Sequence, residues 1–149
     1  VGQDMHARFS AKWRTYHYYV HLRKDPFCRA YSCRIPYELD FARMNEAARM
    51  LLEYDDFKAF CKSHTDVKTT ICNVVDARWV KDGDYNWHFV IRADRFLRNM
   101  VRAVVGTLVD VGRHRMTVDE FRGVIDGRKR TDAGESMPAC ALFLENIEY

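Results

Sequence analysis

The chain has 149 residues, 48% of them hydrophobic and 30% charged, with a formal net charge of +3. That length holds one domain with a real core, and the composition excludes a disordered or low-complexity chain. No apolar run reaches the roughly 18–20 residues of a membrane-spanning helix, because Arg102 and Asp110 interrupt the best one.

The mild positive charge says little by itself about a polyanionic partner; its distribution says more. Arg8, Lys12, Arg14, Arg23, Lys24, Arg29 and Arg34 crowd the first quarter, with Tyr16, His17, Tyr18 and Tyr19 among them. Basic residues interleaved with aromatics suit RNA, where phosphates are neutralised and bases stack. A tyrosine-rich strand against a core has the same composition. The five cysteines (Cys28, Cys33, Cys61, Cys72, Cys140) are odd in number and irregular in spacing, and no signal peptide precedes them. They read as reduced thiols in a cytoplasmic protein. Cys61 and His64 have a spacing that can begin a metal site, but no second pair matches, so no metal is expected. The chain opens Val1-Gly2-Gln3 with no initiator methionine or processing signature, and reads as a single domain, 1–149, of something longer.

In chain order, alternation predicts a strand over 14–22, with Tyr16, Tyr18, Val20 and Leu22 on one face and His17, Tyr19 and His21 on the other. Pro26 and Pro36 argue against regular structure in the connection that follows. Asp40 is a good N-cap for a helix over 41–54 that buries Phe41, Met44, Ala47, Ala48, Leu51 and Leu52. Asp55 or Asp56 caps a short turn that sets Phe57 and Phe60 against the core. Strands over 70–80 and 85–92, joined at Asp82-Gly83-Asp84, make a hairpin. A helix over 95–112 places Phe96, Leu97, Met100, Val101, Val104, Leu108 and Val111 on its core face, with Gly112 as its stop. Arg95, Arg98 and Arg102 share its other side. They are either a solvated face or a frame that holds Arg102 towards an anion or an acidic catalytic group; spacing does not choose. Thr117 caps a further helix over 118–125, with Gly127 past its end, and a last strand covers 141–149. This order implies an α+β fold, an antiparallel sheet with helices packed on one face.

Several blocks then carry a specific likeness. His6-Ala7-Arg8-Phe9-Ser10-Ala11 precedes Arg14-x-Tyr16-x-Tyr18, followed by Asp56-Phe57-x-x-Phe60. Next come Phe96-Leu97-Arg98-Asn99-Met100-Val101-Arg102-x-x-Val105-Gly106-x-Leu108 and Pro138-Ala139-x-x-Leu142-Phe143-Leu144. In this order they closely resemble the tRNA pseudouridine synthase A family, over essentially all of this chain and about the C-terminal three-fifths of such an enzyme. The resemblance implies an isomerase that turns uridine into pseudouridine in the anticodon stem-loop of tRNA. It implies no cofactor and no metal, and a homodimer whose tRNA contacts both subunits.

By the same resemblance, Tyr16 matches the tyrosine that stacks on the target uracil and helps remove its ring proton. Arg102 matches the basic residue that pairs with the nucleophilic aspartate, and Leu142 lines the uracil pocket. Where the family has glycine before that leucine, this chain has Ala141. Arg8, Lys12, Arg14, Arg95 and Arg98 are candidates for touching RNA phosphate. The family's nucleophile lies in a Gly-Arg-Thr-Asp-Ala-Gly segment upstream of the His-Ala-Arg-Phe-Ser-Ala block, ahead of where this chain starts. Arg130-Thr131-Asp132-Ala133-Gly134 repeats its letters, but Glu135-Ser136 follow in place of Val-His, so it reads as a decoy. The chain alone is therefore expected to be inactive. The same fold serving as a stand-alone RNA-binding module, or as a dimerisation domain without RNA affinity, is the alternative.

Overall fold

A computed structural model describes residues 12–26, 30–62 and 69–149. The His6–Ala11 block, with Arg8 in it, and Cys28 and His64 lie outside the described residues. Among the described residues five strands form one sheet: β1 (Trp13–His21), β2 (Cys33–Arg34), β3 (Val74–Lys81), β4 (Asn86–Ala93) and β5 (Leu142–Glu148). β1 is central. It pairs antiparallel with β4 along one edge, and β4 pairs with β3. On its other edge β5 covers the first part, from Trp13 to Tyr18, while β2 covers Val20 and His21. The sheet is mostly antiparallel, as expected, and is mixed only at the β1–β2 pairing, where the two-residue β2 runs parallel and arrives by a connection instead of a hairpin.

Among the described residues three α-helices pack on one face: α1 (Phe41–Met50), α2 (Met100–Gly112) and α3 (Val118–Gly127). The alternation in β1 predicts which face they cover, and Tyr18 and Val20 are sealed beneath them. Asp40 caps α1 as expected, its side chain accepting from the Arg43 backbone N–H at 3.1 Å. That helix ends four residues before the expected position, in a 3-10 turn over Leu51–Glu53, and this turn rotates Leu52 outward to 45% exposure. The Asp56 carboxylate accepts from the Lys58 backbone N–H at 3.2 Å, and Phe57 and Phe60 are fully buried. Strand β3 starts at Val74 rather than near 70, because Ile71 is spent on an isolated bridge to Asp56. Thr117 and Glu120 form a reciprocal capping box at the start of α3. The left-handed residue that ends α3 is Arg128, at φ 56°, not the expected Gly127.

The largest departure concerns α2. It begins at Met100, not at residue 95, because Asn99 adopts a left-handed conformation with φ 70°. Asparagine tolerates that region better than most residues. Arg95 and Arg98 therefore precede the helix and do not share a stripe with Arg102. Nor is α2 amphipathic: Ala103, Val105, Gly106, Thr107 and Val109 are buried along with the predicted core face. A helix apolar all round is an interior helix. The segment 133–137 covers its second side, and at Gly106 the Glu135 carbonyl oxygen lies 1.7 Å from where a Cβ would stand. Gly112 is the last residue inside the helix rather than a stop past its end, and Arg113 is the C-cap. Gly112 lets α1 approach, since a Cβ there would lie 2.4 Å from the Met44 sulfur.

Candidate active site

Tyr16, Arg102 and Leu142 come from the central strand, the interior helix and the last strand, yet they line one cleft of about 550 Å3. The sheet explains the first and third. Tyr16 and Leu142 sit on neighbouring strands, with Tyr18 paired to Leu142 and Tyr16 to Leu144, so both point to the helix face. Arg102 occupies the first turn of α2 after the Asn99 break. The Tyr16 ring packs edge-on against Phe96, centroids 4.9 Å apart, which fixes one side of the tyrosine and leaves it half-buried.

The cleft is cationic. Arg14, Lys62 and Arg98 line it with Arg102, and its described lining holds no carboxylate. Four positive groups around one concave surface focus a field that draws anions. Arg14 and Arg98 were expected to touch RNA. Lys62 carries no signal of this in the sequence, because it opens a polar stretch without periodicity. Its place follows from the fold: the Lys62 backbone N–H donates to the Arg98 carbonyl at 3.1 Å, pinning the two basic residues together. Arg95 is not among the lining residues. Its guanidinium donates to the carbonyls of Thr69 at 3.2 Å and Ile71 at 3.4 Å, bracing the approach to β3. Lys12 is exposed at the start of β1, where its backbone N–H donates to Glu148.

Arg102 is half-buried, and its Nε donates to the Met137 carbonyl at 2.7 Å. Met137 returns the bond, its backbone N–H donating to the Arg102 carbonyl at 3.0 Å. None of the ion pairs formed among the described residues includes Arg102. With Nε taken, Nη1 and Nη2 remain as a two-pronged donor edge of the kind that matches a carboxylate or a phosphate. Tyr18, one pleat beyond Tyr16, donates its hydroxyl to the Pro138 carbonyl at 2.6 Å, and burial pushes its phenol far above its ordinary pKa. It is a permanent donor that ties β1 to the segment carrying Met137. Ala141 is fully buried and its methyl packs in the core.

Asp132 is elsewhere. It is exposed on a 3-10 turn over Arg130–Asp132 and does not line the cleft. Among the described residues no three His, Cys, Asp or Glu side chains converge as a metal site would require, and no helix is long and apolar enough to cross a membrane.

The family model described as tRNA pseudouridine synthase matches residues 47–149. Over 149 residues the chain is 55% identical to tRNA pseudouridine synthase A of Bacteroides fragilis, covering all of this chain and 59% of that protein. It is 58% identical over 151 residues to the Bacteroides thetaiotaomicron protein of the same name, covering 56% of it. Against tRNA pseudouridine synthase A of Bacillus licheniformis the identity is 36% over 151 residues, covering 61% of that protein. The chain thus spans about three-fifths the length of the curated relatives it matches. With a family model covering most of its length and close relatives along all of it, the chain belongs to the tRNA pseudouridine synthase family.

Proposed function

We propose that this chain is the base-holding, RNA-facing part of a tRNA pseudouridine synthase, an isomerase acting on uridine in the anticodon stem-loop of tRNA. The observation that carries this reading is the meeting of Tyr16, Arg102 and Leu142 in one cationic cleft. A base that undergoes chemistry must first leave its stack. The exposed face of Tyr16 offers a replacement stacking surface, and Leu142 supplies an apolar wall beside it. The tyrosine then stands next to the ring proton that must leave after the base has turned. Arg14, Lys62 and Arg98 take the flanking phosphates.

The nucleophile in this reading is an aspartate supplied from outside these 149 residues. The free edge of Arg102 pairs with it, keeping it ionised and oriented at the sugar carbon. The exposed position of Asp132, away from the cleft, supports giving it no part in the chemistry. The reaction exchanges a carbon–nitrogen bond for a carbon–carbon bond within one nucleotide and calls for no cofactor. The whole protein acts in the cytoplasm as a homodimer that tRNA spans.

The test compares this chain with the natural gene product that contains it, on uridine-containing anticodon stem-loop RNA. The chain alone binds the RNA with strongly salt-dependent affinity and forms no pseudouridine; the natural product forms it. Turnover by the chain alone that disappears in Asp132→Ala would make Asp132 the nucleophile and overturn this assignment. Binding without conversion by the natural product would leave an RNA-binding module instead.

A further inference from the structure

The decoy segment is not idle. Arg130 reaches back over its own loop, with Nη1 donating to the Gly134 carbonyl at 2.8 Å and Nη2 to the Ser136 hydroxyl at 2.9 Å. The same Ser136 hydroxyl accepts from Asn99 Nδ2, and Asn99 is the left-handed residue that starts α2. The Gly134 backbone N–H donates to Thr107 Oγ1 at 2.9 Å, and Thr107 donates in turn to the Ala103 carbonyl at 2.7 Å. Beside Thr107, Glu135 lies directly on Gly106. The segment 134–137 is thus bolted to α2 at both ends and in the middle, and Met137 at its end carries the carbonyl that takes Arg102 Nε.

A guanidinium on an unbranched stem has several rotatable bonds, so a single hydrogen bond orients it only if the acceptor is itself immobile. We infer that Arg130 and Ser136 are positioning residues for Arg102: they fix the Met137 carbonyl, and the carbonyl turns the Nη1/Nη2 edge of Arg102 into the cleft. Arg130 is suited to this because its fork bonds two acceptors at once, which lysine does not reproduce. The sequence shows the residue but conceals the role, since Arg130 acts on Met137 through its own loop.

Two measurements decide it. In the chain itself, the Nε–H resonance of Arg102, assigned by its loss in Arg102→Lys, exchanges slowly with solvent. In Arg130→Met and Ser136→Ala that exchange quickens at least tenfold, while the backbone amide spectrum stays folded. Unchanged exchange in a folded variant overturns the inference. Ser136→Ala removes only one acceptor, so it carries this test if Arg130→Met does not fold. The second measurement rests on the function proposed above and uses the natural gene product. Arg130→Met lowers kcat by about 10–100-fold, the scale of a misplaced group about 1 Å from its working position, with KM for RNA nearly unchanged. Arg130→Lys recovers part of the loss, and in an Arg102→Ala background Arg130→Met costs nothing more. A loss that multiplies with Arg102→Ala, or that falls on KM alone, contradicts positioning. If the unmodified natural product makes no pseudouridine, the proposed function fails, and the exchange measurement still decides the role of Arg130.

Discussion

Gly106→Ala tests the close contact between α2 and segment 133–137 most simply, with Gly123→Ala as its control. Both glycines lie inside helices, where alanine is worth about 0.5–1 kcal/mol over glycine. A Cβ on Gly123 meets nothing within 4 Å, whereas one on Gly106 stands 1.7 Å from the Glu135 carbonyl oxygen and 2.9 Å from its carbon. Ordinary carbon–oxygen contact is about 3.3 Å, so the segment must retreat by about 1.6 Å. The obstacle is backbone and cannot rotate away, which puts the cost near the upper end of overpacking, about 3 kcal/mol. Net of the helix gain, Gly106→Ala loses about 2 kcal/mol and Gly123→Ala gains about 0.5–1. For a domain of this size that is a Tm lower by about 4–8 °C in the first and higher by about 1–4 °C in the second. Thermal melts of the two single variants against the parent chain measure it. A Gly106→Ala protein that melts at or above the parent would refute the close packing of the segment, and with it the immobility of the Met137 carbonyl.

Other consequences follow from named contacts. Thr117→Ala deletes the hydroxyl that accepts from the Glu120 N–H at 3.0 Å but keeps the backbone N–H that donates to the Glu120 carboxylate at 2.9 Å, so it costs about 1 kcal/mol in a denaturant titration. Lys62→Ala removes one cleft cation; the slope of log affinity against log salt for stem-loop RNA becomes shallower by about 0.7–0.9, and an unchanged slope would remove Lys62 from the phosphate contacts. Burial holds the His17 imidazole below its usual 6.5, with repulsion from His88, whose ring lies 4.6 Å away, adding to this; burial also lowers His21. The unfolded chain therefore takes up protons first as pH falls through about 6.5, so stability is full above that point and drops below it, down to the lowered values of the folded state. Urea midpoints from roughly pH 8 to pH 5 follow this curve, and His17→Gln flattens it. A midpoint that rises on acidification would contradict the sign.

The sequence made the strands, caps and core legible wherever local rules act alone. Period-two alternation placed Tyr18 and Val20 inside, and Asp40 and Thr117 announced their helices, because capping involves only residues within one turn. The errors arose where distant parts of the chain intervene. An unbroken helical pattern ran from residue 95, but Asn99 leaves it to bond Ser136, a partner 37 positions away. The apparent polar side of α2 is instead covered by the segment 133–137, whose Gly134 bonds Thr107 from 27 positions away, so amphipathic spacing misread an interior helix. Lys62 reaches the cleft through a backbone bond to Arg98, and no pattern within its own loop foretells that. Tyr16, Arg102 and Leu142 were identified from ordered motifs, and their common cleft is a product of strand register and of the break at Asn99.

In the proposed reaction Arg102 works by offering a two-pronged edge to an acidic group, not by charge alone. Single-turnover conversion of stem-loop uridine by the natural gene product, compared with its Arg102→Lys variant, tests this most directly. Lysine keeps the charge but loses the planar fork and the Nε bond to Met137. The variant binds RNA within about twofold of the parent and converts it more slowly by about 10²–10³, the loss typical of removing an oriented donor from a charged reaction centre. An Arg102→Lys protein that converts uridine at the parent rate would contradict this role of Arg102.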